Sequence, residues 1–212
     1  LLKELYNTVS NLKKIVMKIV IHRCNSIAEL KKVDTKYGVE LDVRTYNGNL
    51  ILNHEPYENG ENFDQWIRFY NHNLLILNVK EEGLEDKIKF LLLKHDIKDY
   101  FFLDQSFPFI IKKSKEGEKK IAVRVSDYES IITAEKVSNL VSWIWLDVFN
   151  NLVLTEEEFL NLKKLNFKIC LASPELHPHN DKSKILAVKK KLEAMNIKLD
   201  AVCTKFPERW EC

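Results

Sequence analysis

The sequence predicts an α/β fold, in the form of a compact (β/α)8 TIM barrel with parallel strands. Short apolar runs recur along the 212 residues with segments of helical pattern between them, an order typical of parallel βα units. The length has room for eight such runs, although it is near the short end for this architecture. No internal repeat or low-complexity linker divides the chain. We therefore expect one barrel domain over residues 17–212.

The predicted strands are the apolar runs themselves. They cover residues 19–21, 39–44, 73–80, 100–106, 121–125, 143–148, 167–172 and 199–203. A short extra strand at 50–53 follows Asn47-Gly48, which is a strong signal for a two-residue hairpin turn. This hairpin is expected to carry His54 to the rim of the barrel.

The predicted helices fill the segments between these strands. They cover residues 26–36, 61–71, 84–95, 134–140, 155–165 and 182–195, with 107–120 as a degenerate helix and a charged loop. Ser26 with Glu29, and Thr155 with Glu158, have the spacing of capping boxes at helix starts. Gly38 is expected to end the first helix.

Residues 1–16 have apolar side chains at helical spacing, which predicts a short amphipathic helix. We expect this segment to be an N-terminal helix or a linker from an upstream, fused segment. Packed on the barrel, it would replace the missing eighth helix. Met17 stands directly before the first strand and is a plausible start for a free-standing barrel.

Composition excludes several classes of function. With 45% hydrophobic and 30% charged residues, the composition is typical of an ordinary globular protein. The net charge of +2 gives no electrostatic reason to expect nucleic-acid binding. No apolar run approaches the roughly 20 residues that a membrane span needs. The four cysteines have no paired metal spacing, and Cys170 and Cys203 lie inside apolar runs. A reducing, cytoplasmic location is expected.

Ionisable residues cluster at the first three extended runs. Glu40 and Asp42 are two apart on one strand, so their side chains point to the same face. With His22 and His54 nearby, they could hold a hard divalent cation and supply an acid and a base. The alternative is two solvated carboxylates on an edge strand and two unrelated histidines.

These residues resemble the glycerophosphodiester phosphodiesterase family, within the wider superfamily of phosphatidylinositol-specific phospholipase C-like barrels. The matching motifs, in order, are His22-Arg23, Glu40-Leu41-Asp42-Val43 and His54-Glu55. Asp200, Thr204 and Pro207 match the family's last strand in outline. The chain departs from the family in two places. Cys24-Asn25-Ser26-Ile27 replaces a glycine and a Pro-Glu-Asn motif, and Asn78-Val79-Lys80 replaces Glu-x-Lys.

The resemblance implies a metal-dependent phosphodiesterase that acts on a small phosphodiester. It implies that His22 and His54 are the acid–base pair and that Arg23 and Lys80 bind the phosphate. Glu40, Asp42 and Asn78 would then be the ligands of Mg²⁺ or Ca²⁺. Because Asn78 has no charge, weaker metal binding is expected unless Glu55 or Asp104 compensates.

Other polar residues at strand ends are weaker candidates. Arg124, Asp147, Glu175 and His177 are predicted to contact the substrate. Glu175, His177 and His179 could instead form a second metal site, or the histidines could simply lie on a surface loop. Trp143 and Trp145 share a face, where they could stack on a sugar or base or pack in the core.

Two alternatives to hydrolysis stay open. In the first, a neighbouring substrate hydroxyl attacks the phosphorus and a cyclic phosphate leaves. In the second, the barrel has lost its metal and serves as a binding domain of a larger protein, which the neutral Asn78 favours. The departures around Cys24 also suggest a head group other than plain glycerol.

Overall fold

The computed structural model describes residues 16–177 and 182–211. Its strands are β1 (Lys18–Ile21), β2 (Gly38–Tyr46), β3 (Asn49–Leu52), β4 (Glu61–Asn62), β5 (Leu75–Val79), β6 (Tyr100–Leu103), β7 (Ala122–Val125), β8 (Trp143–Leu146), β9 (Lys168–Ala172) and β10 (Ala201–Thr204). Its helices are α1 (Ile27–Leu30), α2 (Phe63–Trp66), α3 (Glu85–Lys94), α4 (Phe107–Lys115), α5 (Ile131–Lys136), α6 (Glu156–Lys164) and α7 (Ser183–Ala194). The helix predicted at 1–16, apart from its last residue, lies outside the described residues.

Eight of the strands are parallel neighbours in one curled sheet. Their order is β6-β5-β2-β1-β10-β9-β8-β7, and β3 and β4 extend the sheet from β2 in antiparallel fashion. This confirms the α/β class and the parallel strand order. Parallel strands that follow one another along the chain are neighbours in the sheet, with β6 and β7 joined by a single bridge.

The β6–β7 junction differs from the predicted barrel. In the described part of the chain, only an isolated bridge between Phe102 and Ile121 joins these strands, with the Phe102 N–H donating to the Lys120 carbonyl at 2.8 Å. Both strands have four residues, so few pairs are available there. The sheet is therefore a curled, barrel-like sheet and not an unbroken closed barrel.

The alternation of side chains separates two apolar cores. The larger core lies between the sheet and the helices, and it includes Val39, Leu41 and Val43 of β2. The inner core lies inside the curled sheet, where the Phe101 and Trp143 rings stack 4.4 Å apart. Its other members are Val20, Leu74, Ile76, Leu103, Ala122, Trp145, Cys170, Ala172, Ala201 and Cys203. The inner core therefore includes Trp143, Trp145, Cys170 and Cys203.

Several predicted helices are shorter than expected. The capping box of Ser26 and Glu29 is present, yet α1 covers only four residues. The segment predicted as helix 61–71 begins with the two-residue strand β4, then α2, then a 3₁₀ turn at Ile67–Phe69. Conversely, α4 is a regular helix of nine residues, because Pro108 is tolerated in its first turn.

Gly38 does not end a helix; it is the first residue of β2. A Cβ atom at this position would lie 2.6 Å from the Leu74 carbonyl oxygen and 3.0 Å from a methyl of Val20. Glycine is therefore required by the close approach of β1, β2 and the chain entering β5. Within the described ranges, no helix is long and apolar enough to cross a membrane.

Candidate active site

The candidate site lies inside the sheet, at the carboxyl ends of the strands. Val39, Leu41 and Val43 face the helices, so Glu40 and Asp42 face the interior. Asp42 pairs with Asn78 in the β2–β5 ladder, which brings the acidic strand and the predicted third ligand side by side. In barrels of this kind, the active site is formed at this end of the strands.

Glu40 and Asp42 are both buried, each with 1% of its surface exposed. Burial and the neighbouring charge of Asp42 raise the pKa of Glu40 to about 7. The Arg23 backbone N–H donates to Glu40 Oε2 at 2.8 Å, which partly offsets this rise. Two adjacent buried carboxylates repel each other, so the pair is stabilised by anything cationic between them.

Asn25 orients Asp42 and was not predicted from the sequence. The Asn25 side chain donates to Asp42 Oδ2 at 2.8 Å, and the Asp42 backbone N–H donates back to Asn25 Oδ1 at 2.8 Å. The available signal was its position directly before the N-cap Ser26, in the segment where the chain departs from the family motif.

His22 is neutral at ordinary pH. Burial, together with the positive charges of Arg23 and Lys205, lowers the pKa of His22 to about 3. Its Nε2 lies 3.9 Å from Glu40 Oε2, and its Nδ1 is buried without a hydrogen-bond partner among the described atoms. A neutral imidazole can accept a proton.

Arg23 follows His22 in a left-handed backbone conformation, with φ of 56°. This conformation is uncommon for a residue with a side chain, and such positions cluster at functional sites. Here it turns the Arg23 amide onto Glu40, while its guanidinium Nε lies 3.8 Å from Asp42 Oδ2. The side chain keeps 44% of its surface exposed, so it remains available to a ligand.

His54 lies at the end of the β2–β3 hairpin, as predicted. Arg44 holds this turn, because its Nε and Nη2 both donate to the His54 carbonyl, at 3.1 and 3.0 Å. The His54 Nδ1 is 2.6 Å from Glu55 Oε1, and this hydrogen bond lowers the pKa of Glu55. Glu55 therefore orients the ring.

Lys80 continues the inward face of β5. Its ammonium lies 3.2 Å from Asp42 Oδ1, close enough for an ion pair although not in hydrogen-bond geometry, and 3.4 Å from Asp104 Oδ2. Burial alone would raise the pKa of Asp104, but the charges of Arg124 and Lys80 outweigh it and hold that pKa below its usual value. Asp104 thus links the two basic residues.

Arg124, Asp147 and His177 form one cluster at the far side of the site. The Arg124 guanidinium forms ion pairs with both Asp104 and Asp147. The other Asp147 oxygen receives the Trp145 indole N–H at 3.0 Å and lies 3.2 Å from His177 Nε2. The His177 ring also packs on Phe149, with centroids 4.3 Å apart.

Glu175 is engaged inside the protein. Its Oε1 accepts from Thr204 Oγ1 at 2.5 Å and from the Lys205 backbone N–H at 3.0 Å. Its other oxygen accepts from Ser173, whose hydroxyl in turn receives the Trp210 indole N–H at 2.9 Å. These contacts fasten the loop after β9 to the end of β10. His179 lies outside the described residues.

The predicted metal ligands supply the donor type that a hard cation needs. Glu40, Asp42 and Asn78 all offer oxygen, which Mg²⁺ and Ca²⁺ prefer, and Asn78 Oδ1 is buried without a hydrogen-bond partner among the described atoms. Nevertheless, within residues 16–177 and 182–211, no group of three or more His, Cys, Asp or Glu side chains is arranged to hold a metal. Neither Glu55 nor Asp104 joins the two acids of β2 in such a group.

The fold is similar to that of two solved glycerophosphodiester phosphodiesterases. A structure from Agrobacterium tumefaciens str. C58 superposes with a TM-score of 0.61 at 13% identity, over 92% of this chain and 99% of that one. A structure from Parabacteroides distasonis ATCC 8503 gives a TM-score of 0.63 at 11% identity, over 92% of this chain and 84% of that one. No family model and no curated protein matches the sequence. The resemblance noted in the motifs is thus confirmed at the level of the fold.

Proposed function

We propose that this chain is a divergent phosphodiesterase of the glycerophosphodiester phosphodiesterase type, acting on a small phosphodiester. The observation that carries the proposal is the convergence of His22, Arg23, Glu40, Asp42 and Lys80 at one end of the curled sheet. The shared fold supports the proposal. A separate support is that the same five residues match the family's motifs in order.

Arg23 and Lys80 would bind the anionic phosphate. Both cations border Asp42, and Arg23 keeps a large exposed surface while Lys80 stays mostly buried. A guanidinium can hold two phosphate oxygens as a fork, whereas an ammonium acts as a point charge. Together they would orient the phosphorus and lower the cost of a developing negative charge.

His22 and His54 would exchange protons with the attacking and leaving oxygens. His22 is partly buried beside the carboxylate pair, and His54 is half-exposed on the hairpin with Glu55 behind it. Proton transfer by positioned side chains of this kind contributes about 10²–10⁴-fold to rate. The same pair serves attack by water and attack by a substrate hydroxyl, and the appearance of a cyclic phosphate product distinguishes the two.

Glu40, Asp42 and Asn78 would hold a divalent cation such as Mg²⁺ or Ca²⁺. When bound, such an ion neutralises phosphate charge and acts as a Lewis acid. The chain's own contribution is to keep both carboxylates buried, aligned by Asn25 and by the Arg23 amide.

The proposal is tested by hydrolysis of bis(p-nitrophenyl) phosphate with and without Mg²⁺, Mn²⁺ or Ca²⁺. His22→Ala is expected to lower kcat at least about 10²-fold. The matched control is His95→Gln, which changes a histidine at the end of α3 and is expected to keep the wild-type rate. Equal rates in His22→Ala and the wild type would contradict the proposed site, provided that both variants melt cooperatively.

A second candidate is a metal-free barrel that binds ligands without catalysis. It is favoured by the contacts of Lys80 and Arg23 with Asp42, since two cations already balance the two acids. Calorimetric titration with each metal distinguishes the candidates. Absence of both metal binding and diester turnover would favour the binding barrel.

A further inference from the structure

The cations of the candidate site differ in whether a carboxylate already balances their charge. Arg23 and Lys80 lie beside Asp42, and Arg124 is paired with two further acids. Such pairing lowers the positive potential that a cation offers to an incoming anion, because opposite charges a few ångströms apart largely cancel. A cation at the same edge of the sheet without a carboxylate partner would therefore attract an anion most strongly.

Lys205 is such a cation, and it directly follows β10. Its side chain is exposed, and within residues 16–177 and 182–211 its ammonium forms no ion pair and no hydrogen bond. Ala201 and Cys203 of β10 both belong to the inner core. The alternation of side chains along a strand continues this inward face to position 205, as it does to Lys80 after β5.

The end of β10 places Lys205 next to His22. The His22 backbone N–H donates to the Thr204 carbonyl at 3.0 Å, so the ends of β1 and β10 are adjacent. The charge of Lys205 is also one of those that lower the pKa of His22. In the strand order β5-β2-β1-β10, the acids of β2 and His22 lie between Lys80 on one side and Lys205 on the other. The two lysines therefore flank the region where the phosphate is proposed to bind.

The backbone at Lys205 is fixed, although its side chain is free. Glu175 Oε1 accepts the Lys205 backbone N–H at 3.0 Å and also accepts the Thr204 hydroxyl. The Phe206 backbone N–H donates to the same hydroxyl at 3.0 Å. Glu175 and Thr204 are both buried, so this anchor is protected from water. A fixed main chain leaves only the side chain to be ordered when a ligand binds, which lowers the entropic cost of binding.

We propose that Lys205 is a further phosphate-binding residue, whose ammonium contacts the phosphate group on the β10 side of the site. This rests on the proposed function, because it places the phosphate of the diester between Lys205 and Lys80. An ammonium that no carboxylate balances attracts ligands in proportion to their charge. A phosphate monoester carries close to two negative charges at slightly basic pH, whereas a diester carries one. Lys205 therefore holds the monoester product more strongly than the diester substrate.

The test measures the binding of two anions by calorimetry at about pH 8, where inorganic phosphate carries close to two charges and dimethyl phosphate carries one. In Lys205→Gln, the affinity for inorganic phosphate is expected to fall about tenfold, as for the loss of a hydrogen bond to a charged group. The affinity for dimethyl phosphate is expected to fall only about threefold, because Coulomb energy scales with ligand charge. Lys205→Arg keeps the positive charge and is expected to retain most of both affinities.

Lys164→Gln is the matched control. It removes the same charge from an exposed residue at the end of α6, at the opposite end of the sheet, and is expected to bind both anions as the wild type does. Thermal melting establishes that each variant is folded. Unchanged binding of both anions in Lys205→Gln, or a wild type that binds no inorganic phosphate, would overturn the proposal. An equal loss for the two anions, or a loss that Lys205→Arg does not restore, would indicate a structural role and would overturn it as well.

Turnover of bis(p-nitrophenyl) phosphate separates this inference from the proposed function. Turnover by the wild type, with phosphate binding unchanged in Lys205→Gln, would keep the phosphodiesterase and reject Lys205 as a ligand of the phosphate. Phosphate binding that depends on the charge of Lys205, without turnover by the wild type, would keep the anion site and reject the catalytic proposal.

Discussion

Asn78 limits the charge at the proposed metal site. The variant Asn78→Asp would place a third carboxylate beside Glu40 and Asp42, nearly without change of shape. We expect affinity for Ca²⁺ or Mg²⁺ to rise about tenfold or more, because ligand charge sets the affinity of such sites. Calorimetric titration measures the change. In chelator the variant is expected to melt at a lower temperature than the wild type, because three buried acids repel one another.

Asn78→Leu is the matched control, since it removes the third oxygen and is expected to weaken metal binding. If Asn78→Asp and Asn78→Leu bind metal equally, residue 78 is not a ligand.

Asp104 is expected to make stability depend on pH in the acid range. Its folded-state pKa is held below the ordinary value, so its contribution is fully present above the unfolded pKa and is lost as pH falls through the folded one. Asp104→Asn is therefore expected to cost roughly 1.5–3 kcal/mol at pH 7 and progressively less below about pH 4. Urea unfolding between pH 3 and pH 7 measures this. A constant difference across that range would contradict the assignment.

The sequence predicted which strand side chains face the candidate site better than it predicted the contacts that they make. Glu40 and Asp42 were predictable because the two-residue period of a strand fixes which side chains share a face. The reciprocal bonds of Asn25 and the ion pairs of Arg124 join segments far apart in sequence. Such contacts follow from strand order and loop conformation, which no local pattern encodes.

At the level of the elements, Gly38 is a strand position that cannot accept a side chain unless its neighbours move. Gly38→Ala is expected to lower the free energy of unfolding by about 1–3 kcal/mol, because the added methyl would meet the Leu74 backbone and Val20. Chemical denaturation measures this loss. The control is Thr155→Ala, which removes a capping hydroxyl from α6 and is expected to cost only about 1 kcal/mol. A neutral Gly38→Ala would show that β1 and β5 can separate to admit the methyl.

Local signals predicted where helices begin, but not how long they are. Both capping boxes are present at Ser26 and Thr155, yet α1 has four residues and α6 has nine. A cap satisfies the first backbone amides only, whereas the length of a helix depends on the apolar face that it can bury. The turn signal at Asn47-Gly48 was reliable because a two-residue turn, like a cap, is determined by its own residues.

For the whole molecule, the β6–β7 junction is expected to be the most easily opened part of the sheet. Hydrogen exchange is expected to be faster for amides near Phe102 and in β7 than for those of β2, which has ladders on both sides. Peptide-level exchange measured by mass spectrometry tests this. Equal protection of the two regions would show that the single bridge is as stable as a ladder.

The class of fold was predictable from alternation of strands and helices, but closure was not. Whether the last pair of neighbours completes a ladder depends on strand length and stagger to within one residue. The predicted strand boundaries were not accurate to one residue. The strand predicted at 100–106, which is β6, ends at Leu103 in the structure.

The order of the strands also determines how the chain can assemble. The four strands β1, β2, β5 and β6 are contiguous in space and come from the first part of the chain, and β7 to β10 likewise come from the second. The two half-sheets meet through the bridge at Phe102 and through the four residue pairs between β1 and β10. During synthesis, one edge of β1 therefore stays without its neighbour until residues 201–204 emerge from the ribosome. Among the strands of this sheet, the one that carries His22 at its end is made first and is among the last to be enclosed.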